Sequence, residues 1–183
     1  MSISKILGRL ARASTPAPTI VAISSAAAAA MAAGEHVIVA PMTGECIPVQ
    51  EVPDPLFACE ALGGGVGIIP SDGRVVSPVN GTVIATCDTR HAISIKSDDG
   101  IEVLVHCGID TVELYGSPFV VHVAQGDHVR AGQLLMDVDL DAIRAAGKDT
   151  VTPVIVTNQH EFASLEADCG RSVAAGDLLI TLS

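Results

Sequence analysis

The sequence predicts an all-β fold: an antiparallel β-sandwich with internal pseudo-twofold repeats and one or two short helices. Three observations carry this expectation. Short apolar runs alternate with turn signals over most of the chain, the pattern of many brief strands. Two turn-strand segments recur in altered form. The 183 residues include 17 Gly and 10 Pro but only three Phe, one Tyr and no Trp, which suits a turn-rich fold with a small-aliphatic core. Hydrophobic residues at 49% against 17% charged residues exclude wholesale disorder.

The elements follow in order. Residues 1–13 place Ile3, Ile6, Leu7 and Leu10 on one helical face and Lys5, Arg9 and Arg12 on another, a basic amphipathic segment of the kind that lies on an anionic bilayer. Pro16 and Pro18 end it, and an Ala-rich linker runs to about residue 35. Taken alone, the same residues also read as a signal peptide or as a tail without a role. From 36 to 183 the expected strands are 37–40, 66–69, 83–85, 92–95, 103–105, 119–123, 134–138, 151–156 and 178–182, with brief helices at 140–146 and 160–168. The turn signals between them include Thr43-Gly44, Asn80-Gly81, Asp99-Gly100, Gly126-Asp127 and Gly176-Asp177. Ala40-Pro-Met-Thr-Gly44 resembles Ser77-Pro-Val-Asn-Gly81, and the segment 126–135 resembles 170–179. These echoes point to pseudo-twofold symmetry rather than a repeat array.

Charge narrows the function. Residues 1–34 carry three bases and no acid, while 35–183 carry 7 bases and 21 acids, a body of net −14. Nucleic-acid binding is excluded on electrostatics, and the scarcity of aromatics removes single-strand stacking platforms. Five cysteines with no C-x-x-C pair form neither a disulfide framework nor a zinc-finger spacing, and read as reduced thiols in a cytosolic protein.

The chemistry concentrates in 89–110. Two alternating strands flank Ser97-Asp98-Asp99-Gly100. A four-residue loop would set Lys96 opposite Ile101 and His91 opposite His106, on one sheet face with Cβ atoms about 5 Å apart. A turn centred on Asp99-Gly100 would part the two rings. The first register is preferred. Adjacent imidazoles admit three readings. One ring can attack phosphorus while the other steadies the phosphoryl oxygens, with Gly108 supplying a carbonyl and Thr89 orienting His91. The pair can ligate zinc, since His106-x3-Asp110 occurs as in LytM-type peptidases, although those also need a His-x-His that is missing here. Or both rings are structural. His36, His122, His128 and His160 have no evident partner and are read as surface or strand-edge residues. Cys107 points away from His106, because adjacent strand residues face opposite sides.

The blocks Val39-Ala-Pro-Met-Thr-Gly44, Val52-Pro-Asp54-Pro-Leu-Phe57, Val76-Ser-Pro-Val-Asn-Gly-Thr-Val83, Thr89-Arg-His91-Ala and Val105-His106-Cys-Gly-Ile-Asp110-Thr-Val-Glu-Leu114 resemble the glucose-family enzyme IIA of the bacterial sugar phosphotransferase system, from about 37 to 183. The resemblance implies a phosphohistidine carrier that takes phosphate from HPr and hands it to the enzyme IIB/IIC sugar permease. It implies that His106 is phosphorylated on Nε2, that His91 stabilises the phosphoryl group and that Thr89 bonds His91. It implies a docking face of Leu56, Phe57, Leu62, Leu104 and Val112 with Asp54, Asp110 and Glu113. No cofactor is required, although His91 and His106 can share an intermolecular zinc with a partner carboxylate. The resemblance also implies a regulatory capacity, since family members in the unphosphorylated form bind permeases or kinases such as glycerol kinase. The domain is then 36–183, cytoplasmic, with residues 1–13 touching the inner face of the cell membrane. The signal peptide falls behind, since a relay from a cytosolic donor cannot run outside the cell; an exported zinc peptidase or a purely regulatory binder remain the alternatives. Departures include Gly64 at an acidic position, Cys87 and Leu104 at aromatic ones, and Ala61 for a larger aliphatic.

Overall fold

The computed structural model describes residues 19–183, so the expectations for residues 1–13 lie outside the described residues. In chain order the elements are α1 (Ser25–Ala32), β1 (His36–Val39), β2 (Gly44–Pro48), α2 (Pro55–Ala58), β3 (Gly64–Pro70), β4 (Arg74–Val76), β5 (Gly81–Thr86), β6 (Ala92–Ser97), β7 (Glu102–His106), β8 (Phe119–Val121), β9 (His128–Val129), β10 (Leu134–Val138), α3 (Leu140–Ala145), β11 (Thr152–Val156), β12 (Leu165–Ala167), β13 (Arg171–Val173) and β14 (Leu178–Leu182). An eight-stranded sheet has the order β13-β2-β3-β11-β7-β6-β5-β9. Two three-stranded sheets, β4-β10-β8 and β1-β14-β12, form the second layer. Their inward side chains meet in one aliphatic core. Ile68, Ile93, Ile95, Val103, Val105 and Val154 of the large sheet pack with Ile38, Val75, Phe119, Leu135, Met136 and Leu179 of the small ones. The antiparallel sandwich is thus the one the sequence predicts.

The pseudo-twofold symmetry shows in the hydrogen bonds. Gly132 N–H donates to the Ser77 carbonyl at 2.9 Å and Ser77 N–H to the Gln133 carbonyl at 2.8 Å. At the related place, Gly176 N–H donates to the Ala40 carbonyl at 2.9 Å and Ala40 N–H to the Asp177 carbonyl at 2.8 Å. The two sequence echoes are therefore partners: each copy of the first abuts one copy of the second. The chain at 19–24 runs across both junctions, with Val21 N–H on the Gly132 carbonyl and Ser24 N–H on the Gly176 carbonyl. Ser24 then caps α1, its hydroxyl accepting from Ala27 N–H at 3.3 Å. Part of the Ala-rich stretch thereby becomes a helix, because Ala carries the least cost in helical form and Ala27 packs with Val37, Val39 and Ala131.

Two expectations need correction. The helix expected over 160–168 is a short 3-10 turn, Gln159–Glu161, followed by β12. Strand β14 offers an open edge, and Leu165, Glu166 and Ala167 pair with Leu182, Thr181 and Ile180. Backbone partners on a sheet edge outweigh a brief helix that must bear its own nucleation cost. The register of the β6–β7 hairpin also differs. Ala92, not His91, lies opposite His106, and Lys96 lies opposite Glu102. The loop has three residues: Ser97 N–H bonds the Ile101 carbonyl at 2.7 Å, and Gly100 N–H returns to the Ser97 carbonyl at 3.1 Å. Gly100 adopts φ +100°, the left-handed position that closes a three-residue loop. The Ser97 hydroxyl secures the turn by accepting from Ile101 N–H at 2.7 Å and donating to Asp99.

Buried Asn158 fastens the same hairpin to the turn that follows β11, the next strand of the same sheet. Its Oδ1 accepts from Glu102 N–H at 2.8 Å, and its Nδ2 donates to the Gly100 carbonyl at 3.0 Å. Replacing it with Ala strands both backbone groups. Asn158→Ala is expected to lower stability by about 1–3 kcal/mol, read as a lower denaturation midpoint at unchanged slope.

Candidate phosphoryl-transfer site

The site forms where β7 ends and β6 begins. His106 is the last residue of β7, and alternation turns it to the outer face, half-buried, while Val105 points into the core. Beyond it Gly108 adopts φ +78°, and a Cβ there would lie 2.8 Å from the Asp149 carbonyl, so only glycine fits. That turn carries the Gly108 carbonyl to 2.8 Å from His106 Nδ1. The ring donates Nδ1–H to it, which leaves Nε2 with a free lone pair.

His91 reaches the same place by another route. Continuing β6 backwards would send it inward beside Ile93. Instead the ladder stops at Ala92, and the chain folds over a turn in which Arg90 has φ +58° and donates its N–H to the Cys87 carbonyl. The His91 carbonyl still accepts from Cys107 N–H at 2.7 Å, but its ring swings to the outer face. The two imidazole centroids are 4.7 Å apart at 73°, edge to face. Thr89 Oγ1 lies 2.7 Å from His91 Nδ1. The predicted adjacency of Thr89, His91 and His106 is present, produced by a turn rather than by strand register.

Both rings are held neutral at pH 7. Burial, aided by the positive form of His106, pushes His91 down to about 4; it is only 8% exposed. Burial also lowers His106, the largest influence on it, while the Gly108 hydrogen bond, Asp54 and Asp110 pull the other way.

The residues expected on the docking face divide into two groups. Leu56 (60% exposed), Val112 (49%) and Leu62 (41%) are bare apolar side chains. Phe57 is buried, lying edge-on beneath His106 at 5.2 Å, and Leu104 is half-buried against the same small cluster. Asp54 caps α2, accepting from Leu56 N–H at 2.7 Å, so the helix that displays Leu56 is anchored by one of the acids. Asp110 is exposed in a left-handed turn, and Glu113 pairs with Lys148 at 2.6 Å. Gly64 leaves room that Gln159 fills, with Oε1 accepting from Gly64 N–H at 2.6 Å.

Some features escaped the sequence. Tyr115, 88% exposed and left-handed, follows Val112 on the same rim. Three of the four minor histidines have carboxylate partners: His36 with Asp99 at 2.8 Å, His122 with Asp137 at 2.6 Å and His128 with Asp98 at 2.9 Å. All three pairs join residues distant in sequence, which no local pattern reveals. Among the described residues no group of three or more His, Cys, Asp or Glu side chains could hold a metal ion, and no helix is long and apolar enough to cross a membrane.

Comparison with known proteins agrees with this geometry. The family model for the phosphoenolpyruvate-dependent sugar phosphotransferase system, EIIA 1, matches residues 36–162. A glucose-specific EIIA component of Bacillus cereus is 43% identical over 142 residues, covering 78% of this chain and 86% of that one. A glucose-specific EIICBA component of Staphylococcus saprophyticus is 47% identical over 148 residues, 81% of this chain but 22% of the longer protein. The solved glucose permease IIA from Mycoplasma capricolum superposes with a TM-score of 0.75 at 32% identity, covering 80% of this chain and 95% of that one. These matches do not favour a zinc peptidase. The chain belongs to the EIIA 1 family of the phosphoenolpyruvate-dependent sugar phosphotransferase system, and is a phosphotransferase component that carries phosphoryl groups toward a sugar permease.

Proposed function

We propose that His106 is the phosphorylated residue, accepting phosphate on Nε2 from phospho-HPr and passing it to enzyme IIB of a glucose-type permease. The observation that carries this reading is the pair of neutral rings 4.7 Å apart, each with Nδ1 engaged from behind. On acceptance the free Nε2 lone pair of His106 attacks phosphorus as the donor's P–N bond breaks. The electron pair of that bond returns to the donor imidazole, and no proton need move. On hand-over the nucleophile of enzyme IIB attacks and the His106 Nε2–P bond is the one that breaks. Through each step the Gly108 carbonyl keeps the proton on Nδ1. If Thr89 donates its hydroxyl proton to His91 Nδ1, the His91 ring proton sits on Nε2 and can donate to a phosphoryl oxygen.

Leu56, Leu62 and Val112, with Asp54 and Asp110 at the margin, supply a small apolar patch with a charged rim, suited to a partner that must leave quickly. The EIICBA relative, in which such a domain shares a chain with permease modules, supports enzyme IIB/IIC as acceptor. A cytosolic donor sets the reaction in the cytoplasm, where Lys5, Arg9 and Arg12 would favour the inner membrane surface. The rings also fit half of a tetrahedral zinc site: two nitrogens, with a partner carboxylate needed to continue the set.

Three outcomes check this reading. With phosphoenolpyruvate, enzyme I and HPr, wild-type protein takes up label, His106→Gln takes up none, and His91→Gln is labelled but fails to pass phosphate to enzyme IIB. Leu56→Ala and Val112→Ala each raise KM for phospho-HPr by about 5- to 10-fold with kcat little changed. Proton NMR should place the His91 midpoint near 4. Unfolded His91 binds its proton near 6.5, so between 6.5 and 4 the unfolded state holds more protons, and stability falls as pH falls through that window. His91→Gln should remove that part of the slope.

A further inference from the structure

We propose that Cys46 and Cys169 form a reversible intramolecular disulfide when the protein meets hydrogen peroxide. The phosphocarrier role uses neither residue. They are 123 positions apart in sequence, yet Cys46 Sγ lies 3.4 Å from Cys169 Sγ. The backbone already holds them in place: Gly170 N–H donates to the Cys46 carbonyl at 2.8 Å, and Arg171 lies opposite Cys46 in the β13–β2 ladder. Closing to a bond of about 2.05 Å needs side-chain rotation rather than a rearranged sheet.

The two thiols differ in a way that orders the chemistry. Cys46 is fully buried, and burial together with the neighbouring sulfur pushes it up to about 12. Cys169 is half-buried beside Arg171, in the segment that crosses from β12 of the small sheet to β13 of the large one. It is therefore the sulfur that peroxide meets first. The Cys169 thiolate attacks one peroxide oxygen and the O–O bond breaks. Cys169 becomes a sulfenic acid, and the departing hydroxide takes up the thiol proton as water. Cys46 sulfur then attacks the sulfenic sulfur. The S–O bond breaks, the S–S bond forms, and hydroxide leaves with the Cys46 proton as a second water. Two thiols are oxidised by two electrons and one peroxide is reduced. Both β12 and β13 are edge strands of three residues, so the bond would fasten the crossover to β2 at the least supported margin of each layer.

The test uses the full chain carrying Cys59→Ser and Cys87→Ser, which removes the two exposed thiols. Brief treatment with one equivalent of peroxide should lower the intact mass by about 2 Da, and dithiothreitol should restore it. Trypsin should release the peptide ending at Arg74 joined to the peptide ending at Arg171. The oxidised form should melt at least ~5 °C above the reduced form. Adding Cys169→Ser, a change at a half-exposed position, should abolish the mass loss and the joined peptide. Oxygen adducts or covalent dimers without the 2 Da loss, or a 2 Da loss that survives Cys169→Ser, would overturn the proposal.

Discussion

The hydrogen bond from His106 Nδ1 to the Gly108 carbonyl, 2.8 Å long, is the contact on which the site depends. A neutral imidazole has one proton and two nitrogens, and the bond decides which nitrogen keeps the free lone pair. It exists because the chain makes a left-handed turn directly after β7, which only Gly108 tolerates so close to the Asp149 carbonyl. Thr111 stabilises the turn from within, its buried hydroxyl donating to the Cys107 carbonyl at 2.7 Å. A strand end, a glycine and a threonine thus settle a question of tautomer.

The sandwich around it explains why that strand end is firm. Both copies of the repeated junction, Ser77 with Gly132 and Ala40 with Gly176, bond in the same two-way pattern. Each continues the pairing of two strands within a small sheet, β4 with β10 and β1 with β14. In the large sheet the central strands β11, β7 and β6 have partners on both sides and a filled core beneath. Edge strands of two or three residues, β9, β12 and β13, pair with neither β6 nor β7.

Much of this was legible in the sequence, for identifiable reasons. Alternating apolar runs locate the central strands, and Thr89-Arg-His91 with His106-Cys-Gly108 locates the site. The exact pairing of the rings was not legible. A loop containing Asp98, Asp99 and Gly100 can close with two, three or four residues, and the choice rests on the φ of Gly100 and on the contacts of Asn158, 56 and 58 residues further along the chain. Nor does strand alternation reveal that Arg90 turns left-handed and frees His91 from the ladder. The rings meet for a reason the expected register did not contain. The short strands β4, β9, β12 and β13 are likewise invisible, since two or three residues carry no period, and their pairing is decided by the edges they cover.

The charge of the site fits a carrier better than a binder. On the proposed reading two neutral imidazoles face the transferred group, with the Thr89 hydroxyl behind one of them, while Asp54 and Asp110 stand close enough to influence His106. A guanidinium fork would hold a phosphoryl dianion firmly and slow its departure. On that reading the phosphoryl group on His106 gains one neutral hydrogen-bond donor, His91, and meets nearby negative charge, so the phosphorylated state is tolerated without being deeply trapped. The same acids repel a lingering phosphate and attract a cationic partner surface. Lys148, beside this rim, is already engaged with Glu113. Forward transfer is thus favoured by what the site withholds from phosphate as much as by what it supplies.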